Sequence, residues 1–200
     1  MRKHKIDITK KVNESSENQR FGGNSFLPIE LEWPINSNNE KLVLIFSLPT
    51  SFLNKYCETT FNEKKWISVF STYNNDYFLD EVIDNGDILD SSEKIFNNFT
   101  QVIIHKKGEI RNESNIIIPS YLLKVELIEE NNNENSKLGG KPIFLQNVVE
   151  ESKEMNFCFQ FYAGKLPEFK NILFLEDSIL YLFVSDKESN YKGIFFGQCT

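Results

Sequence analysis

Two glycine pairs constrain this chain more than any other feature. The first lies in residues 21–34, F-G-G-N-S-F-L-P-I-E-L-E-W-P, and the second in residues 138–146, L-G-G-K-P-I-F-L-Q. In both, two glycines and then a proline stand at the entrance to an apolar stretch. Adjacent glycines let the backbone take positive φ or pass close to another segment, whereas proline fixes φ and removes a ladder donor. Each pair therefore marks a place where the chain turns into a sheet.

The stretches around them read as strands. After the polar turn 35–41, the near-continuous apolar run Leu42 to Leu48 has the length and content of a buried strand. Pro49 ends it, and 50–56 is expected to form a helical turn with Thr50 or Ser51 as N-cap. Residues 65–72 alternate, setting Trp66, Ser68, Phe70 and Thr72 against Ile67, Val69 and Ser71, a period of two. Further strands are expected at 101–105, 116–118, 121–128, 156–162, 172–175, 179–184 and 194–196. In 156–162 strict alternation stacks Phe157, Phe159 and Phe161 on one face, with Cys158 and Gln160 opposite. With 18 Phe against 2 Trp and 2 Met, the core should be rich in phenylalanine.

These signals predict a mainly β to α+β fold. It would be a single compact domain of about ten short, largely antiparallel strands with a few short helices. Two hundred residues suffice for one core without staples. Residues 1–20 are polar, with a short helix expected over 9–19, and should lie across the surface or stay partly mobile. Residues 21–200 form the domain, and 129–137, E-E-N-N-N-E-N-S-K, form a surface loop within it.

Charge narrows the partners. The net charge is −7, yet residues 1–12 hold five Lys or Arg and one Asp, leaving 17 basic against 28 acidic side chains in the rest. An acidic body repels phosphate backbones and speeds encounter with basic partners, so a basic protein is expected as partner and nucleic acid is not. The most biased stretch is 76–90, D-Y-F-L-D-E-V-I-D-N-G-D-I-L-D. It carries Asp76, Asp80, Glu81, Asp84, Asp87 and Asp90 without one basic residue, has an Asn85-Gly86 turn, and offers Tyr77 and Phe78 as aromatic anchors. Such acidity also serves solubility alone.

The basic start is not followed by the apolar run of an export signal, and no stretch approaches the roughly 20 apolar residues of a membrane helix. Cys57, Cys158 and Cys199 are odd in number and widely spaced, which reads as free thiols. A cytoplasmic location without a membrane partner is expected, and the sequons at Asn13, Asn98 and Asn112 read as chance matches.

No catalytic constellation is visible. Of the two histidines, His4 lies in the basic start and His105 closes an apolar run, the ordinary place of a strand-end histidine rather than of a general base. Clustered His or Cys ligands are missing, and so are a G-x-S-x-G elbow and a P-loop; the acidic stretch does not fit an EF-hand, because Asp80 as first position puts Asn85 where glycine is needed. No enzyme activity, cofactor or metal is expected.

As a set, Gly22, Gly23, Leu27, Pro28, Trp33, Pro34, Leu48, Pro49, Gly139, Gly140, Pro142 and Gln146, with the late strand I-L-Y-L-F-V at 179–184, resemble the YwqG-like family of bacterial proteins. The similarity spans about residues 21–198, and the chain departs from the family with F-L-E-D-S at 174–178, where members often carry W-G-D-x-G. The resemblance implies a mainly β domain of unassigned function, without catalytic residues to carry over. Members are found beside secreted-toxin genes and are candidate immunity proteins. Together with the charge, this leads to the expectation of a non-enzymatic protein-binding module that neutralises a cognate toxin through the acidic stretch. The competing reading is a small-molecule or peptide binder, or an enzyme of unrecognised chemistry, with a pocket near the two glycine pairs lined by Trp33 and Gln146. The plainer role for these two is core packing for Trp33 and backbone hydrogen bonding for Gln146. Oligomeric state is not readable from the sequence.

Overall fold

The computed structural model describes residues 3–62, 64–73, 83–84, 98–128, 136–165, 178–186 and 192–199. Among the described residues, eleven strands form one sheet: β1 (Lys3–Lys11), β2 (Arg20–Phe21), β3 (Val43–Pro49), β4 (Lys65–Ser71), β5 (Ile83–Asp84), β6 (Thr100–Lys106), β7 (Tyr121–Ile128), β8 (Lys137–Leu138), β9 (Asn156–Tyr162), β10 (Ile179–Val184) and β11 (Gly193–Gln198). Among the described residues the α-helix is α1 (Thr50–Tyr56), which follows β3, and 3₁₀ turns occupy Glu150–Glu154 and Ala163–Lys165. The strand order is β5-β11-β10-β9-β8-β1-β7-β2-β3-β4-β6, and every pairing is antiparallel except the short parallel contact of β5 with β11. The mainly β expectation holds.

The sheet curls until its far strands meet. Thr100 Oγ1 on β6 donates to Phe195 O on β11 at 2.7 Å, so the sheet is a nearly closed barrel. Its interior is one large cluster that includes Ile6, Phe21, Phe46, Val69, Leu123, Phe159 and Phe195. Two smaller clusters cover other parts of the sheet, one around Trp33, Leu42, Leu44 and Phe70, the other around Val149, Phe157, Tyr181, Phe183 and Phe196. Along β4, Ile67 and Val69 join the large cluster while Phe70 joins a small one, as the period of two requires.

Outward from the middle, the order is β1-β8-β9-β10-β11 on one side and β7-β2-β3-β4-β6 on the other. The two sides match in register. Phe21 pairs with Tyr121 and Phe46, and Leu138 pairs with His4 and Phe159. A β-bulge skips Ile45 in β3 and Cys158 in β9, and in each half the first glycine closes it: Gly22 N–H donates to Ile45 O and Gly139 N–H to Cys158 O, both at 2.7 Å. The residues just before the bulges correspond too, with Leu44 opposite Phe70 and Phe157 opposite Phe183. The rings of the equivalent Phe46 and Phe159 meet edge to face at 5.0 Å. The chain is thus two copies of one pattern that have exchanged their first strands, since β1 pairs with β8 and β7 pairs with β2.

Four expectations need correction. Residues 3–11 do not lie over the surface, nor does a helix form over 9–19: β1 sits in the middle of the sheet, with Ile6 and Ile8 buried. Residues 116–118 are not a strand, although Ile118 is fully buried beside Gly22. The phenylalanines of β9 do not share a face, because the bulge at Cys158 sends Phe157 to an outer cluster and Phe159 and Phe161 to the interior. Helix α1 forms as expected, but its N-cap is Pro49 without a side-chain bond, and Thr50 Oγ1 donates instead to Asn62 O and Lys65 O. The expected strand 172–175 and the turn Asn85-Gly86 lie outside the described residues, as does 129–135 of the expected loop, whose last residue, Lys137, belongs to β8. No helix among the described residues is long and apolar enough to cross a membrane.

Candidate functional site at the second glycine pair

Gly139 and Gly140 both have positive φ, +68° and +75°, and Gly139 packs so close to α1 that a Cβ there would lie 2.3 Å from Tyr56 O. This contact brings the end of α1, and Glu58 just after it, against the chain leaving β8. Between Gly140 and β9 the chain runs through Pro142, Phe144 and the 3₁₀ turn Glu150–Glu154 and leaves a cavity of about 340 Å³. Its walls are Phe144, Val148, Met155, Phe157 and Phe183, and its polar groups come from Glu58, Lys141, Ser152, Lys153 and Asn156.

The walls are packed from behind. Phe144 lies flat over Phe183 at 6.1 Å and 3°, and Phe183 over Phe196 at 6.1 Å and 4°, a row of parallel rings backed by β10 and β11. The segment that carries Phe144 is held by a polar latch: Leu145 N–H donates to Tyr181 Oη at 3.2 Å and to Gln198 Oε1 at 3.1 Å, while Tyr181 Oη donates to Ile143 O at 2.8 Å. Burial pushes the Tyr181 phenol up to about 12, so it stays a neutral donor. On the charged side, Lys153 is paired with Glu150 at 2.5 Å. Lys141 and Glu58, opposite in sign, are ion-paired to nothing among the described residues. Asn156 is turned toward Asp186, its Nδ2 donating at 3.1 Å.

The first half carries the equivalent latch with different residues. Leu27 N–H donates to Ser25 Oγ at 3.0 Å, Ser25 Oγ meets Ser68 Oγ at 3.3 Å, and Ser68 Oγ meets His105 Nε2 at 2.9 Å. His105 Nδ1 lies 2.7 Å from Lys106 O and donates to it, so Nε2 accepts from Ser68. Desolvation holds the His105 pKa below its usual value, and the ring is neutral. Serine hydroxyl and imidazole here have the contact of a nucleophile and base, but Ser25 and Ser68 are completely buried and His105 is 4% exposed, and the group they hold is a backbone amide. The geometry matches the reading of His105 as a strand-end histidine.

Trp33 and Gln146 do not line this cavity. Trp33 is buried, donates Nε1–H to Leu42 O at 2.9 Å, and packs edge to face on Phe70 at 5.2 Å. Gln146 donates Nε2–H to Cys199 O at 2.7 Å, and its Oε1 is buried without a hydrogen-bond partner among the described residues. Of the acidic set, Asp76, Tyr77, Phe78, Asp80, Glu81, Asp87 and Asp90 lie outside the described residues, and Asp84 is described only as backbone of β5, opposite Gln198. The thiols are free, as expected: burial pushes the Cys158 thiol well up, and Cys57 Sγ donates to Cys158 O at 3.3 Å. No group of three or more His, Cys, Asp or Glu suited to a metal ion occurs among the described residues. Compared with known proteins, the chain matches no family model and no curated protein.

Proposed function

We propose that this protein acts by binding, and that its binding site is the cavity beside the second glycine pair, which takes a small molecule or a short peptide. One observation carries this reading: a space of about 340 Å³, within the range of roughly 300–1,000 Å³ usual for ligand pockets, combines an aromatic wall with two charges of opposite sign that have no ion-pair partner among the described residues. Apolar surface supplies affinity and the charges fix orientation. No chemistry is required of the lining residues. The test is a fragment screen followed by ¹H–¹⁵N NMR. Hits should move the amides of Gly140, Lys141 and Asn156, and Val148→Trp, which takes up part of the space, should reduce the shifts. A broad screen without any hit at these amides would exclude the cavity as a site.

A second reading rests on charge. The acidic stretch 76–90 meets the sheet through β5, whose Ile83 and Asp84 pair with Gly197 and Gln198 at the edge of β11. In this reading, which accords with the resemblance to the YwqG-like family, the carboxylates of this stretch meet a basic protein such as a cognate toxin, and charge supplies fast encounter. Changing Asp80, Glu81, Asp84 and Asp87 together to Lys should then slow association with the partner captured by the tagged protein. An unchanged association rate would remove the role given to this stretch.

A further inference from the structure

We infer that the cavity receives an aromatic amino acid, whose ring takes in the second half the place that the Trp33 indole holds in the first. The inference rests on the cavity being the binding site and adds the chemistry of its ligand.

The matching registers of the two halves define the equivalence. In the first half Trp33 packs with Leu42, Leu44 and Phe70, and its N–H is bonded to Leu42 O. The β3–β4 and β9–β10 ladders superimpose Leu44 on Phe157 and Phe70 on Phe183, and the residue before each strand pair, Leu42, on Met155. Met155, Phe157 and Phe183 all line the cavity. Three neighbours of an indole in one half are therefore three walls of an empty space in the other. The cause is in the sequence. The stretch from the glycine pair to the strand runs from 23 to 43 in the first half but only from 140 to 156 in the second, and the shorter stretch has no tryptophan. Phe144 lies over Phe183, which is 3% exposed at the cavity wall.

The charges extend the likeness. Arg111 stands over the Trp33 ring at 5.6 Å, and the cavity carries Lys141 and Lys153. With Lys153 held by Glu150, Lys141 and Glu58, which have no ion-pair partner among the described residues, match a carboxylate and an ammonium on one small ligand. A free aromatic amino acid has both; an aromatic residue within a peptide has the ring alone.

The probes follow from this. L-Tryptophan should shift the Gly140, Lys141 and Asn156 amides, whereas cyclohexylalanine, with a saturated ring, should not. Lys141→Gln should weaken L-tryptophan and indole-3-propionate by about 2- to 5-fold without weakening tryptamine, while Glu58→Gln should weaken L-tryptophan and tryptamine and spare indole-3-propionate. N-acetyl-tryptophanamide separates the two sources, since binding equal to that of L-tryptophan would overturn the role of the two charges. Cyclohexylalanine binding as tightly as tryptophan would overturn the aromatic inference, and so would fragment hits at the same amides confined to ligands without a ring; both leave the cavity a binding site. No shift with any probe or fragment would overturn the inference and the site together.

Discussion

Gly139 and Gly140 are both left-handed, yet they meet different needs. At Gly139 a Cβ would stand 2.3 Å from Tyr56 O, backbone that cannot swing aside; at Gly140 it would meet nothing within 4 Å. For an L residue positive φ alone costs roughly 1–2 kcal/mol. Gly140→Ala should therefore lower stability by about that amount, and Gly139→Ala by on the order of 3 kcal/mol or more, as the end of α1 is forced off β8. Urea melts of the two variants measure the difference, and equal losses would show that the contact with α1 has no consequence. The glycine pairs were legible in the sequence because so few residues adopt that backbone. Which glycine is crowded was not, since Tyr56 is far away in the chain. Trp33 shows the same limit: its burial was open to reading, but nothing near residues 141–155 says that an indole is missing there, because an absence shows only against a second copy laid in register.

Strand by strand, legibility followed the strength of the local pattern. Strands β7, β9 and β10 were expected at the bounds they have, for each alternates or runs apolar over its length. In β1 only Ile6 and Ile8 are apolar, between lysines whose stems can lie along the sheet while the charges reach water, so a central strand passed for a polar tail. The β9 bulge was invisible because its cause, the Gly139 N–H bonded to Cys158 O, comes from another segment. The latch between β4 and β6 gives a prediction at this scale. Burial holds the His105 pKa below its ordinary value near 6.5, so on acidification the unfolded chain takes up its proton first. The stability tied to neutral His105 is thus present above about pH 6.5 and is lost as pH falls below it, with a slope of at most about 1.4 kcal/mol per pH unit. His105→Gln copies Gln198, which holds the equivalent place in the second half, and should remove that slope; urea melts between pH 7.5 and 5.5, read as the difference between variant and parent, check it. A parallel pH dependence in both would mean that His105 is not the group responsible.

At the scale of the molecule the exchange of first strands ties the halves together. Residues 1–112 alone would lack the partners of β1, and 113–200 alone would lack β1 and β2 beside β8 and β7. Neither fragment should fold as a monomer, and the two expressed together should assemble into a complex with the circular dichroism of the intact chain. A stable, monomeric folded half would contradict the exchange. The same arrangement bears on how the chain is made. Residues 3–11 leave the ribosome long before 121–128 and 137–138, the strands they lie between, and at about 5–20 residues per second the wait is on the order of ten seconds. During translation the segment that will become the middle of the sheet has nothing to pair with, so the barrel cannot close until its second half has emerged.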